Sequence, residues 1–345
     1  MDVGLTSAQL ALRDSVRDVL RAECPPGVAR QAMTDPECWR AVWKTVVDLG
    51  WTELAAPDSD FGRLDLAAVL EECGAAIAPI PLLAGVGLAG GVLRAAGIDD
   101  VLRDISDGVV ATLAVHPPGH RLPSVPMTLQ QGRLRGRAVA VPWASSAELV
   151  VTLAESPDGV VAAVLRAGDG VTVTPGDCTD PAQPVADVDI DTTPLAAAQV
   201  DVESALATPL LAAAADLVGV AGAALHRSVE HAKSRQQFGK PIGAFQGVKH
   251  ALADNYVAVE RARSLTYAAA ARPGSWTAAA LAKAAAGDAA VGCCRTAVQV
   301  HGAIAQTWEH DIHLYLRHAW QGAAALGDSR ALYHEVGRRF VRGAA

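Results

Sequence analysis

No run of about 18 apolar residues uninterrupted by charge or proline, the length a membrane-spanning helix needs, occurs in this chain of 345 residues. Its first stretch, MDVGLTSAQLALRDSV, has no basic segment leading into an apolar one, so a secretory signal is not expected. The two absences together predict a cytoplasmic protein without a membrane span. A basic surplus is missing too: 29 Lys and Arg face 37 Asp and Glu, for a formal charge of −8. Most faces of such a molecule repel a polyanion, which excludes nucleic acid as the expected partner. The six cysteines (Cys24, Cys38, Cys73, Cys178, Cys293 and Cys294) lack metal-ligand spacing, so no metal site is expected. Neighbours such as Cys293 and Cys294 rarely bridge each other, and buried free thiols are the expected state. There is no internal repeat, low-complexity tract or heptad run.

What the chain does have is apolar material, 51% of its residues, enough for a sizeable core. Up to about residue 98 the period is helical: Trp39, Val42, Trp43, Val46 and Val47 share one face, and Leu49-Gly50 supplies a stop. Leu66, Val69, Leu70 and Cys73 repeat the pattern after a loop, APDSDFGRLD. From about 106 to 200 the signal changes to short β-rich runs (VVATLAV, AVAVPW, ELVVTLA, VVAAVL, VTVTP, VADVDI) divided by Gly, Pro and Asp. They predict an antiparallel barrel or sandwich. Four long helices are then expected, over about 204–233, 245–271, 275–301 and 328–342. The order helices, strands, helices predicts an α+β protein of three domains: a helical domain over 1–105, a β-barrel domain over 106–203 and a four-helix bundle over 204–345.

Two stretches carry chemistry. In SRQQFGKPIGAFQGVKHALAD, Arg235 and Lys240 are cations beside a Gly-Lys-Pro turn between two long helices, where guanidinium and backbone N–H groups can converge on an anion. Phe238 and Phe245 can flank an aromatic ring such as adenine, and Gln246 both donates and accepts. The same residues equally suit a plain interhelix turn with a solvated charge and two core Phe. In AVQVHGAIAQTWEHDIHLYLRHA, Gln299 and Gly302-Ala303 sit near a helix end, where small residues let a ligand approach the backbone. Glu309, His310, Asp311 and His313 read as a solvated polar loop without metal-ligand spacing.

These residues resemble the acyl-CoA dehydrogenase family. RQQFGKPIGAFQ is similar to its Arg-x-x-Phe-Gly-Lys-x-Ile-x-x-Phe-Gln motif, and QVHGA to its Gln-x-x-Gly-Gly. Gly302 stands at the family distance from its Arg-Asp pair, here Arg317-His318, while LGWTELAAPDSDFG and VLEECGAAIAPIPLL resemble its amino-terminal domain. The resemblance implies FAD shared across a subunit interface. Its adenine and diphosphate would meet Arg235, Gln237, Phe238, Phe245, Gln246, Gln299, His301, Gly302 and Ala303, while the flavin ring lies mainly in a neighbouring subunit. Ala303 stands where the family has a second Gly.

The resemblance also shows what is missing. The family reaction takes the α-proton of an acyl thioester with a carboxylate as hydride leaves the β-carbon for flavin, which makes the position of the base strict. The two positions the family uses for that Glu are Leu326 and Pro209 here. The nearest acids are Asp328, better suited to cap the last helix, and Glu203. The flavin-contacting Thr-Glu-Pro-x-x-Gly-Ser segment is replaced by VVATLAVHPPGHRLPSVP, and the Trp-Ile-Thr-like segment by VAVPWASSAEL, where Trp143 reads as a packed strand-end aromatic.

The half of a shared site that reaches toward a neighbour is kept and the other half is lost. The expectation is a non-catalytic subunit of a heteromeric, α2β2 acyl-CoA dehydrogenase. Its catalytic partner would supply the base and the pocket for a bulky or steroid-derived acyl-CoA, with electrons passing to an electron-transfer flavoprotein. The alternatives are a self-sufficient homo-oligomeric flavoenzyme, with a base such as Asp328 or an oxygen-using chemistry, and a purely structural partner that binds no flavin.

Overall fold

The structure is a computed structural model that describes residues 4–343 apart from residue 169. Helices come first: α1 (Ser7–Glu23), α2 (Pro26–Gln31), α3 (Trp39–Asp48), α4 (Arg63–Ala76), a π-helical turn Leu83–Ala89 running into α5 (Gly90–Ala96), and α6 (Asp99–Ser106). Thr6 and Gln9 cap α1 reciprocally. Beyond α3, Gly50 takes φ 73°, a left-handed conformation that glycine adopts without penalty. The segment read as a loop ends earlier than expected, because Asp65 accepts from the Gly62 N–H and starts α4 at Arg63.

Eight strands follow: β1 (Ala111–Ala114), β2 (Met127–Gln130), β3 (Arg133–Pro142), β4 (Leu149–Ser156), β5 (Gly159–Arg166), β6 (Val171–Pro175), β7 (Val185–Thr192) and β8 (Ala196–Gln199). They form a sheet of order β6-β7-β3-β2-β4-β5-β8. The pairing is mixed, not antiparallel throughout: β1 and then β2 run parallel to β4, one after the other along its edge. The path ends at β6 and β8 without closing into a barrel.

The last part is helical: α7 (Val202–Ser234), α8 (Gln246–Ala270), α9 (Trp276–His301), α10 (Ile312–Ala324) and α11 (Ser329–Val341), with a small hairpin of β9 (Gln236–Gln237) and β10 (Lys240–Pro241) between α7 and α8. The expected four-helix bundle is there, joined by α10, a helix beyond the four expected. By length and hydropathy α7 is apolar enough to cross a membrane, since only Asp216 interrupts Ala205–Leu225, but here it is the buried centre of the fold. It packs on α4 so closely that a Cβ on Gly219 would lie 1.8 Å from the Glu71 carbonyl oxygen. One hydrophobic core joins the amino-terminal helices to the inner face of the sheet and the first half of α7, and a second fills the carboxy-terminal bundle. Cys24, Cys73, Cys293 and Cys294 are buried free thiols, whereas Cys38 and Cys178 are only partly buried.

Candidate functional site

The two motifs meet at the ends of α7 and α9. Arg235 caps α7 with its N–H on the His231 carbonyl, and the chain then turns through β9 and β10, whose pairing of Gln237 with Lys240 leaves a two-residue loop. That loop is Phe238-Gly239, with φ of 54° and 77°, the left-handed pair a tight hairpin requires. A phenylalanine rarely holds such a conformation, and this one is 90% exposed. Phe245 stands edge-on to it, ring centroids 6.1 Å apart, with Lys240 Nζ 4.5 Å from the Phe245 centroid.

At the end of α9, His301 Nδ1 lies 2.8 Å from the Ala297 carbonyl oxygen, and Gly302 turns the chain at φ 74° with open space where a Cβ would stand. His231, one turn before Arg235, stacks on His301 at 4.2 Å, so segments far apart in sequence share one surface. Arg235, Gln237, Gln246, Gln299, Gly302 and Ala303 are all exposed, and Phe245 and His301 half-buried. Among the described residues Arg235 has no ion pair or side-chain hydrogen bond. An unpaired guanidinium, three exposed amides, an open glycine turn and a presented aromatic ring suit a diphosphate bearing a flat base. No carboxylate stands among them to move a proton.

The interior is different. Leu326, at one expected base position, is 4% exposed and its N–H donates to His116 Nε2 at 3.1 Å. His116 belongs to the VHPPGH segment that replaces the flavin-contacting loop. Burial, and then the charge of Lys283, push it down to about 4. Lys283, itself 1% exposed, donates to the carbonyls of Ala323 (3.2 Å) and Gly327 (3.4 Å), and burial lowers it to about 8. Pro209 lies inside α7, packed against Gly91. Asp328 accepts from the Ala331 N–H as the cap of α11 and pairs with Arg121 at 2.8 Å, while Glu203 pairs with Arg339 at 2.5 Å. Neither acid lines the cavity beside Leu326.

That cavity measures about 80 Å³ and is walled by Leu83, Leu88, Pro142, Ala213 and Leu326. Ligand pockets usually offer about 300 Å³ or more, so a flavin ring or acyl chain has no room in it. A strap of residues 179–183 runs along it, with Asp180 and Gln183 in its wall. Gln321 of α10 donates to the Gln183 carbonyl (2.5 Å) and accepts from the Asp180 N–H (2.9 Å), and Arg317 donates to the Thr179 carbonyl (3.1 Å). Gln183 in turn donates to the Ala78 carbonyl and accepts from Trp143 Nε1 at 2.7 Å. Trp143 is buried after β3, edge-on to Trp39, a packed strand-end aromatic. Beneath the strap His318 Nε2 bonds Asp216 Oδ2 at 2.9 Å, and its Nδ1 stands 2.8 Å from Asp180 Oδ2, off the hydrogen-bonding line. Both carboxylates near the cavity are therefore engaged. Sequence reasoning missed this cluster. Its one signal was Asp216, the sole charge in a long apolar stretch, which burial obliges to find a partner.

Comparison with known proteins gives the same frame. The model of the acyl-CoA dehydrogenase amino-terminal domain matches residues 6–105, and that of the carboxy-terminal domain residues 201–340. Acyl-CoA dehydrogenase IpdE2 of Mycolicibacterium smegmatis is 34% identical, covering 92% of this chain and 94% of its own. Among solved structures, the ChsE4-ChsE5 complex from Mycobacterium tuberculosis contains a chain that superposes with a TM-score of 0.86 at 28% identity, covering 99% of both. The Tcur3481-Tcur3483 steroid ACAD G363A variant gives 0.89 at 25% identity over 98% of each chain. Motifs, architecture and relatives agree: this chain belongs to the acyl-CoA dehydrogenase family of flavin-dependent oxidoreductases.

Proposed function

We propose that this chain is the non-catalytic subunit of a heteromeric, α2β2 acyl-CoA dehydrogenase. The observation that carries the reading is a contrast. The outer half-site around Arg235 and Gly302 is exposed and unpaired, whereas the chain's own cleft beside Leu326 is only about 80 Å³ and crossed by the strap of residues 179–183. Arg235 and the N–H groups near Gly302 would hold the diphosphate of FAD seated in a catalytic partner. Phe238 and Phe245 would flank the adenine, and Gln237, Gln246, Gln299, His301 and Ala303 would complete the wall. When bound, FAD accepts the hydride that turns an acyl-CoA into a 2,3-enoyl-CoA, and an electron-transfer flavoprotein then takes the electrons. The base and the acyl pocket belong to the partner, since Leu326 and Pro209 cannot take a proton.

Likeness to a chain of the ChsE4-ChsE5 complex and to a chain of the Tcur3481-Tcur3483 steroid ACAD supports both the heteromer and a bulky, steroid-derived acyl-CoA. Expressing the chain alone and with a catalytic acyl-CoA dehydrogenase chain, then measuring FAD per chain by absorbance, tests the proposal. Little flavin alone and about one FAD per pair of unlike chains is the expected result. One FAD per chain in the isolated protein would favour the homo-oligomeric alternative, and a flavin-free but stable pair would favour a purely structural partner.

A further inference from the structure

Three imidazoles from three segments stack beside Arg235. His231 of α7 lies on His301 at 4.2 Å and 29°, and His310 of the loop before α10 meets the other ring at 4.9 Å and 60°. The proton positions follow from their backbone partners. His301 Nδ1 faces the Ala297 carbonyl and so carries hydrogen, which leaves Nε2 as the free nitrogen of the neutral ring. His310 Nδ1 accepts from the Ile312 N–H at 3.2 Å, so its own proton sits on Nε2. Among the described residues no carboxylate pairs with any of the three rings.

The charged groups around the stack are mostly cations. Arg235 and Arg227 face it from α7, Arg227 being held against Tyr315. From α2 comes Arg30, tied to Asp311 at 2.5 Å. The acids at hand are spent or turned away: Glu230 pairs with Lys233, and Glu309 is exposed with its carboxylate on Thr307. Burial, and then Arg235 and His310, hold His231 below the ordinary range; burial likewise holds His301 down against the opposing pull of the Ala297 carbonyl, with His231, His310 and Arg227 adding to burial. Without an anion His231 and His301 are therefore neutral near pH 7.

We propose that this stack is a proton-coupled part of the diphosphate half-site: His301 takes a proton on Nε2 as the FAD diphosphate binds, with the rings of His231 and His310 flanking the imidazolium. This rests on the half-site reading above. The proton comes from solvent, and the diphosphate brings the counter-charge that the surrounding arginines lack. A diphosphate diester keeps its charge across the neutral range, so any dependence on pH in that range comes from the protein.

The test uses the complex with its catalytic partner and FAD as the probe. Flavin binding is followed by fluorescence from about pH 8 to about pH 6, where affinity is expected to rise by up to about tenfold. Calorimetry in two buffers of different ionisation enthalpy should show fractional proton uptake. His301→Gln should flatten the pH dependence, whereas His231→Phe, which keeps a ring but no proton, should leave it. Gel filtration of each variant with the partner separates loss of assembly from loss of proton coupling. A pH-independent affinity in the unmodified complex, or an unchanged slope in His301→Gln, overturns the proposal. Arg235→Ala keeps the two readings distinguishable. If it weakens FAD binding while the unmodified complex shows no pH slope, only the proton coupling fails; if it changes nothing, the half-site itself fails.

Discussion

His318 and Asp216 bond at 2.9 Å in the buried crossing of α10 and α7, and Asp180 reaches the other ring nitrogen from the middle domain. Burial opposes an imidazolium there, but the two carboxylates outweigh it and raise His318 to about 10. The fold therefore joins α7, α10 and the middle domain through a buried charge cluster.

The cluster sets how stability depends on pH. Between about 6.5 and 10 the folded chain keeps the His318 proton that the unfolded chain has released, so this residue's contribution falls as pH rises. Lys283 acts oppositely: lowered to about 8, it lets the unfolded state hold the extra proton from about 8 to 10.5, which restores stability with pH. His116, lowered to about 4, favours the fold increasingly from about 4 to 6.5. From these three groups, stability in urea should peak near pH 6.5, fall at up to about 1.4 kcal/mol per unit toward pH 8, and level beyond. His318→Gln should cost about 3–5 kcal/mol at neutral pH by stranding two buried carboxylates, and should abolish the fall between about 6.5 and 8. The milder Asp180→Asn should weaken the fall. An unchanged slope in both variants would mean the imidazolium is not what couples the domains.

Arg235→Ala removes the unpaired cation of the half-site without touching any packed surface. FAD affinity of the complex should drop by about tenfold or more, the size expected for a lost charge-assisted hydrogen bond to an anion. Subunit association, followed by sedimentation, should remain. Equal flavin content in the variant complex would remove the diphosphate role.

Phe238 is held at a left-handed φ with its ring 90% exposed, so its side chain contributes almost nothing to the fold of the isolated chain. Phe238→Ala should shift that chain's stability by less than about 0.5 kcal/mol. In the complex the same change should weaken flavin retention, because the ring has a purpose only when something covers it. A large loss of stability in the isolated chain would show that the ring packs within the chain and does not await a ligand.

The sequence made the helices legible wherever period and stops coincided, as at Trp39–Asp48 with Gly50 behind it, and Asp328 could be read as a cap from its place before SRALYHEV. Strand existence was equally plain in runs such as ELVVTLA, yet their partners were not, because alternation says which face is buried and nothing about which edge pairs. The parallel seating of β1 and β2 on β4 followed from tertiary packing. Helix α10 was hidden by the polar Glu309–His313 stretch at its start. The His318 cluster was out of reach for a further reason: its partners lie 102 residues away in Asp216 and in a loop of the middle domain, and no spacing rule links them. The turns at Arg235 and Gly302 were legible as motif residues, but the His231–His301 contact that unites them was not.

Leu326→Glu puts a carboxylate at the family's base position and separates the heteromeric reading from the self-sufficient one. The position is 4% exposed, beside a cavity of about 80 Å³ next to a strap that Gln321 and Arg317 hold down. A glutamate there gains no substrate to act on, and burying its charge should destabilise the chain by about 1–3 kcal/mol even with Lys283 nearby. The isolated variant should neither bind flavin nor reduce an artificial electron acceptor with any acyl-CoA, and the complex should keep its activity if, as proposed, the working base is in the partner. Acyl-CoA-dependent acceptor reduction by the isolated variant would instead mean that the strap opens and that only the carboxylate was missing. The cleft would then be a dormant active site that lacked only its base.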